Sequence, residues 1–261
     1  MRPLAVIGHL ARDIVDGGEP RIGGAPWYAG CALRAHSGRA QIGAKCGEAE
    51  RRTFALRLAA LGLPATIATG GETTSFAIDY DGEHRQMRVD GIGEPWTPEE
   101  ALVAVGTAAW VHVAPLLRSD FPPETLRALG RGRRLLLDAQ GLVRVPEVGP
   151  LRLDGDFDPA LLECVSILKI AEDEAAMLPP LDELGVPEIV LTLGTRGCVI
   201  RTGTTEVRVP ARPLEGVRDP TGAGDGFGAS YLAARSEGHA PASAARRAAA
   251  LVAGLLAGRA R

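Results

Sequence analysis

A chain of 261 residues, 46% apolar and 23% charged, is long enough for one large domain and has ordinary globular composition. Its net charge of −3 leaves no electrostatic footprint for nucleic acid. No apolar run reaches the ~18–20 residues that span a bilayer, and "MRPLAVIGHLARDIV" at the start has neither the long apolar region nor the small-residue cleavage site of a signal peptide. The expected location is cytoplasmic, with no nucleic-acid or membrane partner.

"LAVIG" (4–8) reads as a buried strand ending at glycine, followed by short, turn-rich stretches up to "GGAP" (23–26). A helical pattern runs from Trp27 to about His36, with Gly38 to end it. "AQIGAKCG" (40–47) is a strand and turn, "EAERRTFALRLAALG" (48–62) an amphipathic helix, and "ATIATG" (65–70) a strand. In "TTSFAIDYDGEHRQMRV" (73–89), Phe76, Ile78 and Tyr80 alternate with polar residues around a "DG" turn, which predicts a hairpin with one solvated face. Strand and helix then alternate: strands over 108–115 and 134–141, helices over 122–132 and 158–165. A strand runs into a helix over 166–178, a strand, glycine turn and strand span 188–201, and a turn and helix span 219–235 before a final helical pair. Buried strands alternating with helices predict a mostly parallel sheet covered on both faces. The early hairpin breaks that alternation and is expected to be a lid or edge element.

Of 29 basic residues only Lys45 and Lys169 are lysine, so each is worth inspecting. Cys31, Cys46, Cys164 and Cys198 form no CxxC pair and read as reduced, mostly buried residues. His9, His36, His84, His112 and His239 form no cluster and read as structural, with His9 singled out because it flanks the first strand's end.

The densest chemistry lies in "RDPTGAGDGFGASYLAA" (218–234). Glycines Gly222, Gly224, Gly226 and Gly228 alternate there, Asp219 and Asp225 bracket the turn, and an apolar run follows. A helix N-terminus offers unpaired amides and partial positive charge, and glycines let an anion approach them. A strand-to-helix connection with an N-terminal acid would also account for the stretch. A carboxylate beside bound phosphate is costly, and that cost makes sense if Asp225 takes the proton of a hydroxyl attacking phosphorus while the amides of Gly222, Ala223 and Gly224 hold the developing charge. The chain has no GxxxxGK[ST] P-loop and no GxGxxG after its first strand, so neither a P-loop nor a dinucleotide-binding domain is expected.

"DPTGAGD" with "GFGASYLA", together with "GGAPWYAGCALRAHSG" (23–38), resembles the C-terminal and N-terminal signatures of the ribokinase-like, pfkB-type carbohydrate kinases. The resemblance covers nearly the whole chain, and "LLLDAQGLVR" with "ILKIAEDEA" is similar to the branch containing myo-inositol kinases. It implies one α/β domain over 1–261: a three-layer α/β/α sandwich with a small β lid from about 10–24 and 73–90. It also implies transfer of the γ-phosphoryl of ATP to a sugar or polyol hydroxyl, with magnesium and, as in many members, a monovalent cation such as potassium. A lid-to-lid homodimer is a further expectation, since pairing would cover exposed lid edges.

Residue by residue, the resemblance makes Asp225 the catalytic base and Gly222, Ala223 and Gly224 the anion hole. Asp219 is then either a cation-side residue or a turn former. Asp13 would accept hydrogen bonds from substrate hydroxyls, as a carboxylate can from two at once, with Gly23 and Gly24 bringing backbone close. Tyr28 stands with Trp27 where the family often has asparagine, and either ring could stack on substrate or belong to the core. Gln140 and Arg144, from "DAQGLVR", could reach substrate or phosphate. Lys169 and Glu174 fit the family's K-x-N-x-x-E with Ala171 in place of the asparagine. Lys169 would meet donor phosphates, and Glu174 would hold magnesium through water or serve as a first-turn helix acid. Thr192, Gly194 and Gly197 would form the nucleotide-side turn. A nucleoside kinase and a non-catalytic sugar-binding protein are the rival readings.

Overall fold

In the protein's structure, a computed structural model, residues 3–34, 40–81, 84–211 and 219–259 are described. His36 and the glycine at 38 lie outside them, as does the tip of the "DG" turn.

The chain opens with β1 (Leu4–His9), β2 (Ala11–Val15) and β3 (Arg21–Gly23), then α1 (Ala25–Arg34), β4 (Ala40–Cys46), α2 (Glu48–Ala59) and β5 (Ala65–Thr69). The hairpin follows as β6 (Thr74–Asp81) and β7 (His84–Gly91), then α3 (Pro98–Val105), β8 (Trp110–Ala114), α4 (Pro123–Gly130) and β9 (Arg134–Asp138). Next come the one-turn α5 (Gln140–Val143), β10 (Gly149–Pro150), β11 (Val165–Ala171) and the one-turn α6 (Glu172–Ala175). The rest is β12 (Glu188–Thr192), β13 (Cys198–Thr202), β14 (Thr205–Val209), α7 (Ala223–Ser236) and α8 (Pro241–Arg259).

Nine strands form one sheet in the order β14-β13-β12-β11-β9-β8-β1-β4-β5. From β12 through β5 the neighbours run parallel, and β13 and β14 add antiparallel strands at one edge. Successive strand residues feed opposite cores, as the two-residue period requires. Val6, Ile42 and Leu136 join Leu33, Leu58, Phe227 and Leu232 on the face covered by α1, α2, α7 and α8. Ile7, Val113 and Leu137 join Val105, Leu126 and Leu142 on the face covered by α3, α4 and α5. This is the three-layer α/β sandwich expected from the sequence.

Five further strands make a separate sheet, β10-β7-β6-β2-β3. The lid segments anticipated from the sequence pair within it, β2 with β6 in parallel and β6 with β7 antiparallel, and β10 adds a strand the sequence pattern does not reveal. Its apolar side chains Phe76, Ile78 and Val89 pack on Leu116 and Leu117, just beyond β8. The lid's apolar face is therefore covered by its own chain, and its edge strands are β3 and β10.

Some local expectations change. The first helix starts at Ala25 rather than Trp27, since Pro26 is tolerated in a first turn. α3 lies where the apolar pattern predicts no element, although Thr97 and Glu100 form a capping box around Pro98. The helix expected over 158–165 is only a 3₁₀ turn, Pro159–Leu162, started by Asp158 accepting from the Ala160 amide. One helix, α8, replaces the expected final pair. Cys46, Cys164 and Cys198 are free thiols, and among the described residues no helix is long and apolar enough to cross a membrane.

Candidate active site

Parallel α/β sheets place their functional groups at the carboxyl ends of the strands, and the polar residues buried here collect there. Asp138 closes β9, and the sheet register sets Lys169 of β11 directly beside it. Lys169 Nζ donates to Asp138 Oδ1 at 2.8 Å, and His112 Nε2 of β8 lies 3.1 Å from Asp138 Oδ2. All three side chains are almost wholly shielded from water. The anionic partner a buried lysine requires thus comes from the protein itself. Burial alone would raise the Asp138 carboxyl, but Lys169 and His112 overturn that and hold it at about 2. Burial would likewise lower Lys169, and Asp138, Glu174 and Asp225 reverse it, keeping the ammonium charged.

α7 lies across this cluster. It begins from Gly222, whose left-handed φ of 78° favours glycine, and a Cβ there would sit 2.0 Å from the Tyr28 ring. Tyr28 is buried against that turn, where Asp13, Arg21, Asp219 and Asp225 all act on its hydroxyl, and Trp27 packs partly buried on the core under α1. Lys169 Nζ would be 3.6 Å from a Cβ on Gly224, so the ammonium lies close under the glycine turn. Gly228 leaves room for the His112 ring, which a Cβ would approach to 2.9 Å. The far end of α7 is fixed by buried Glu188, which accepts from Tyr231 Oη at 2.6 Å and from Nε and Nη2 of Arg235.

Asp225 sits in the first turn of α7. Burial pushes its carboxyl up, Asp138 pushes it further, and Lys169, His112 and Arg144 only partly offset this. A carboxylate so raised is suited to accept a proton near neutral pH. Glu174 is buried beside Arg144 and Lys169; burial raises its carboxyl, and Oε2 accepts from the Ala171 amide at 2.8 Å. The first-turn role expected of it is therefore present, and it lies within the same charge cluster. Arg144 is buried there too.

Asp13 is buried on β2, and its carboxylate lies where a Cβ on Gly23 would be, 1.9 Å from Oδ2. Gly23 is glycine because Asp13 needs the space. Gly24, at φ 87°, passes so close to the β1 end that a Cβ would meet the His9 carbonyl at 2.2 Å. His9 itself is tied down, Nδ1 3.1 Å from Asp120 Oδ2 and Nε2 2.8 Å from the Glu94 carbonyl, a structural role.

The remaining expected residues divide. Gln140 opens α5 two residues beyond Asp138, and no side-chain hydrogen bond joins it to the cluster among the described residues. The Thr192 hydroxyl donates to the Ile170 carbonyl, and Gly197, φ 94°, makes room for the Val209 carbonyl, so the 192–197 turn has structural reasons of its own. It borders a cavity of about 170 Å³ lined by Leu193, Arg196, Cys198, Arg208, Val209 and Pro210. Asp219 closes a turn on the Thr221 amide at 3.0 Å and pairs with Arg21 at 2.8 Å.

Sequence reasoning missed Asp138, His112, Arg21 and Tyr80. Asp138 had a readable signal: it ends the apolar run "LLLD" (135–138), and the need of buried Lys169 for an anion points to such an acid.

A three-layer α/β sandwich with a separate β sheet beside a glycine-rich helix start is the architecture of ribokinase-fold proteins. One solved structure of this fold, described as the conversion of a pyrophosphate-dependent myo-inositol-1 kinase into a myo-inositol-3 kinase, aligns with a TM-score of 0.80 and 25% identity. It covers 97% of this chain and 93% of that one. The chain belongs to the pfkB family of carbohydrate kinases, whose profile matches residues 72–259. Among curated relatives, the 2-dehydro-3-deoxygluconokinase of Dickeya dadantii is 36% identical over 100 residues, 33% of this chain and 32% of that protein. The match thus spans about a third of that relative's length. The cytidine kinase of Thermococcus kodakarensis is 28% identical and aligns over 91% of this chain and 90% of its own.

Proposed function

We propose that the protein is a kinase that moves the terminal phosphoryl group of a polyphosphate donor onto a hydroxyl of a small sugar or polyol. The observation that carries this reading is Asp225, a half-buried carboxylate of raised pKa in the first turn of a helix that starts from a left-handed glycine. The acceptor oxygen forms a bond to the terminal phosphorus, the bond to the leaving phosphate oxygen breaks, and Asp225 receives the hydroxyl proton. The amides of Gly222 and Gly224 would face the charge that develops on the transferred group, the Ala223 amide would join them only by sharing its bond to the Pro220 carbonyl (3.0 Å), and the Lys169 ammonium adds positive charge beneath them. Asp13 would hold acceptor hydroxyls beside Gly23 and Gly24. Arg144 is the further candidate for contact with substrate or phosphate, and Gln140 is the weaker one.

ATP and magnesium remain the first expectation for the donor side. Among the described residues no three acidic, histidine or cysteine side chains gather as a metal cage. Magnesium suits such a site when donor oxygens and water supply most of its ligands, and Glu174 would hold it through water. A monovalent cation fits Asp219 poorly, because Arg21 already neutralises that carboxylate. A second donor reading, pyrophosphate, is favoured by one observation. The cavity beside the 192–197 turn carries two arginines, of which Arg196 is paired with Glu172 and Arg208 is the one left to meet an anion, and the aligned kinase structure is described as pyrophosphate-dependent. A nucleoside acceptor draws support from the cytidine kinase relative; with Tyr28 buried against Gly222, the partly buried Trp27 is the ring left to stack on a base.

The test offers purified protein ATP or pyrophosphate with magnesium and a panel of sugars, myo-inositol and nucleosides, and follows phosphorylated product. Transfer to a sugar or polyol is expected. Product from nucleosides alone would replace the acceptor class, and binding without any transfer would leave a non-catalytic sugar-binding protein.

A further inference from the structure

The lid touches the turn that opens α7 at two points. Arg21 of β3 places Nη1 2.8 Å from Asp219 Oδ2 and Nη2 3.5 Å from Thr221 Oγ1. Tyr80 of β6 brings its hydroxyl to 2.8 Å from the same Thr221 Oγ1. Thr221 is buried and immediately precedes Gly222, Ala223 and Gly224. On its other side Arg21 is the cross-strand partner of Asp13 in the β2–β3 ladder. One side chain therefore stands between the carboxylate proposed to hold the acceptor and the turn proposed to hold the transferred phosphate.

We infer that Arg21 is a positioning residue that couples the acceptor seat at Asp13 to the anion-binding turn at 222–224, so that acceptor binding under the lid sets the turn for transfer. This inference rests on the kinase reading above. The pairing suits a reversible coupling: a charge-assisted, forked contact is directional, yet both partners are about one-third exposed, so water competes and the bond can be released. Tyr80 supplies a second, neutral hold on Thr221. Without acceptor, the turn is less often in its transfer geometry, and water is a poor phosphoryl acceptor in its place.

The experiment compares wild type, Arg21→Ala, Arg21→Lys, Asp219→Asn and the double variant Arg21→Ala/Asp219→Asn. It measures donor affinity with and without a non-reactive acceptor analogue, kcat and KM for transfer, and melting temperature. In wild type the analogue is expected to tighten donor binding by at least ~5-fold, the lower end of ordinary site-to-site coupling. In Arg21→Ala that factor should fall toward one, with kcat reduced while the analogue's own affinity changes little. Arg21→Lys should restore part of the coupling, since it keeps the charge and loses the fork. The double variant should be no worse than Arg21→Ala. Unchanged coupling in a folded Arg21→Ala, or a double variant whose losses add, overturns the inference and leaves the kinase reading standing. A wild type that transfers phosphate to no acceptor overturns the kinase reading, and this inference with it.

Discussion

Lys169 and Asp138 face each other across adjacent parallel strands, the ammonium 2.8 Å from one carboxylate oxygen while His112 takes the other. This pair sets the charge under the glycine turn, so most of the testable behaviour of the site follows from it.

Asp138→Asn should leave a buried ammonium without its counter-charge. Breaking a buried pair from one side costs about 3 kcal/mol, and Lys169 would be freed to turn toward Asp225. Both stability, by denaturant unfolding, and kcat should fall. The pH dependence supports the same assignment. Asp138 is held at about 2 in the folded protein against an ordinary 3.8, so its contribution is complete above the unfolded value. It is lost as the pH falls from near 4 through about 2. The variant should show a flatter acid-unfolding curve over that window.

The pH profile of transfer should carry the opposite shift. Burial and Asp138 raise Asp225, and the base works only when ionised. kcat/KM should therefore rise with pH along a limb centred above the usual carboxylate value of about 4. In Asp138→Asn the negative neighbour is gone and the limb should move to lower pH. A limb that stays fixed in the variant would assign the titration to another group, and Glu174 is the nearest candidate because it too is raised by burial.

Asp225→Asn should separate activity from stability. Loss of a general base costs roughly 10²–10⁴ in rate. The stability effect has the other sign. A carboxyl whose folded pKa lies above its unfolded one opposes folding once the pH exceeds the unfolded value, and that opposition is full above the folded value. Removing the charge should raise the melting temperature at neutral pH. A variant that is both inactive and less stable would make Asp225 a structural cap.

These effects show what the sequence could and could not reveal. The alternation of apolar strands with helices gave the sheet and both covering layers, and the "GAGD" turn gave the start of α7, because both depend on local pattern. Asp138 and His112 become site residues only when β8, β9 and β11 lie side by side, and their pairing is a register that no single segment carries. Arg21 and Tyr80 are harder still. They sit 200 and 141 residues from Thr221 along the chain and meet the turn through the folded lid. Tyr28 is a different case: the signature segment leaves its ring open between stacking on substrate and the core, and the fold sets that ring in the space above Gly222.

Gly23→Ala tests the acceptor seat without touching the glycine turn. The added methyl would stand 1.9 Å from Asp13 Oδ2, far inside contact distance. The strain can be relieved by rotating Asp13 away or by displacing β3 from β2. Gly23 has an ordinary negative φ, so the backbone itself is not strained by a side chain. Rotation of Asp13 removes the hydrogen bonds to acceptor hydroxyls and should raise the acceptor KM by about 10-fold or more, the worth of one to two hydrogen bonds to a charged group. Donor affinity should hardly change. Asp13→Asn should mimic the KM effect with little loss of stability, because Asn keeps the shape. If Gly23→Ala lowers kcat and spares the acceptor KM, the disturbance has passed through Arg21 on the same short strand, and Asp13 does not hold the acceptor.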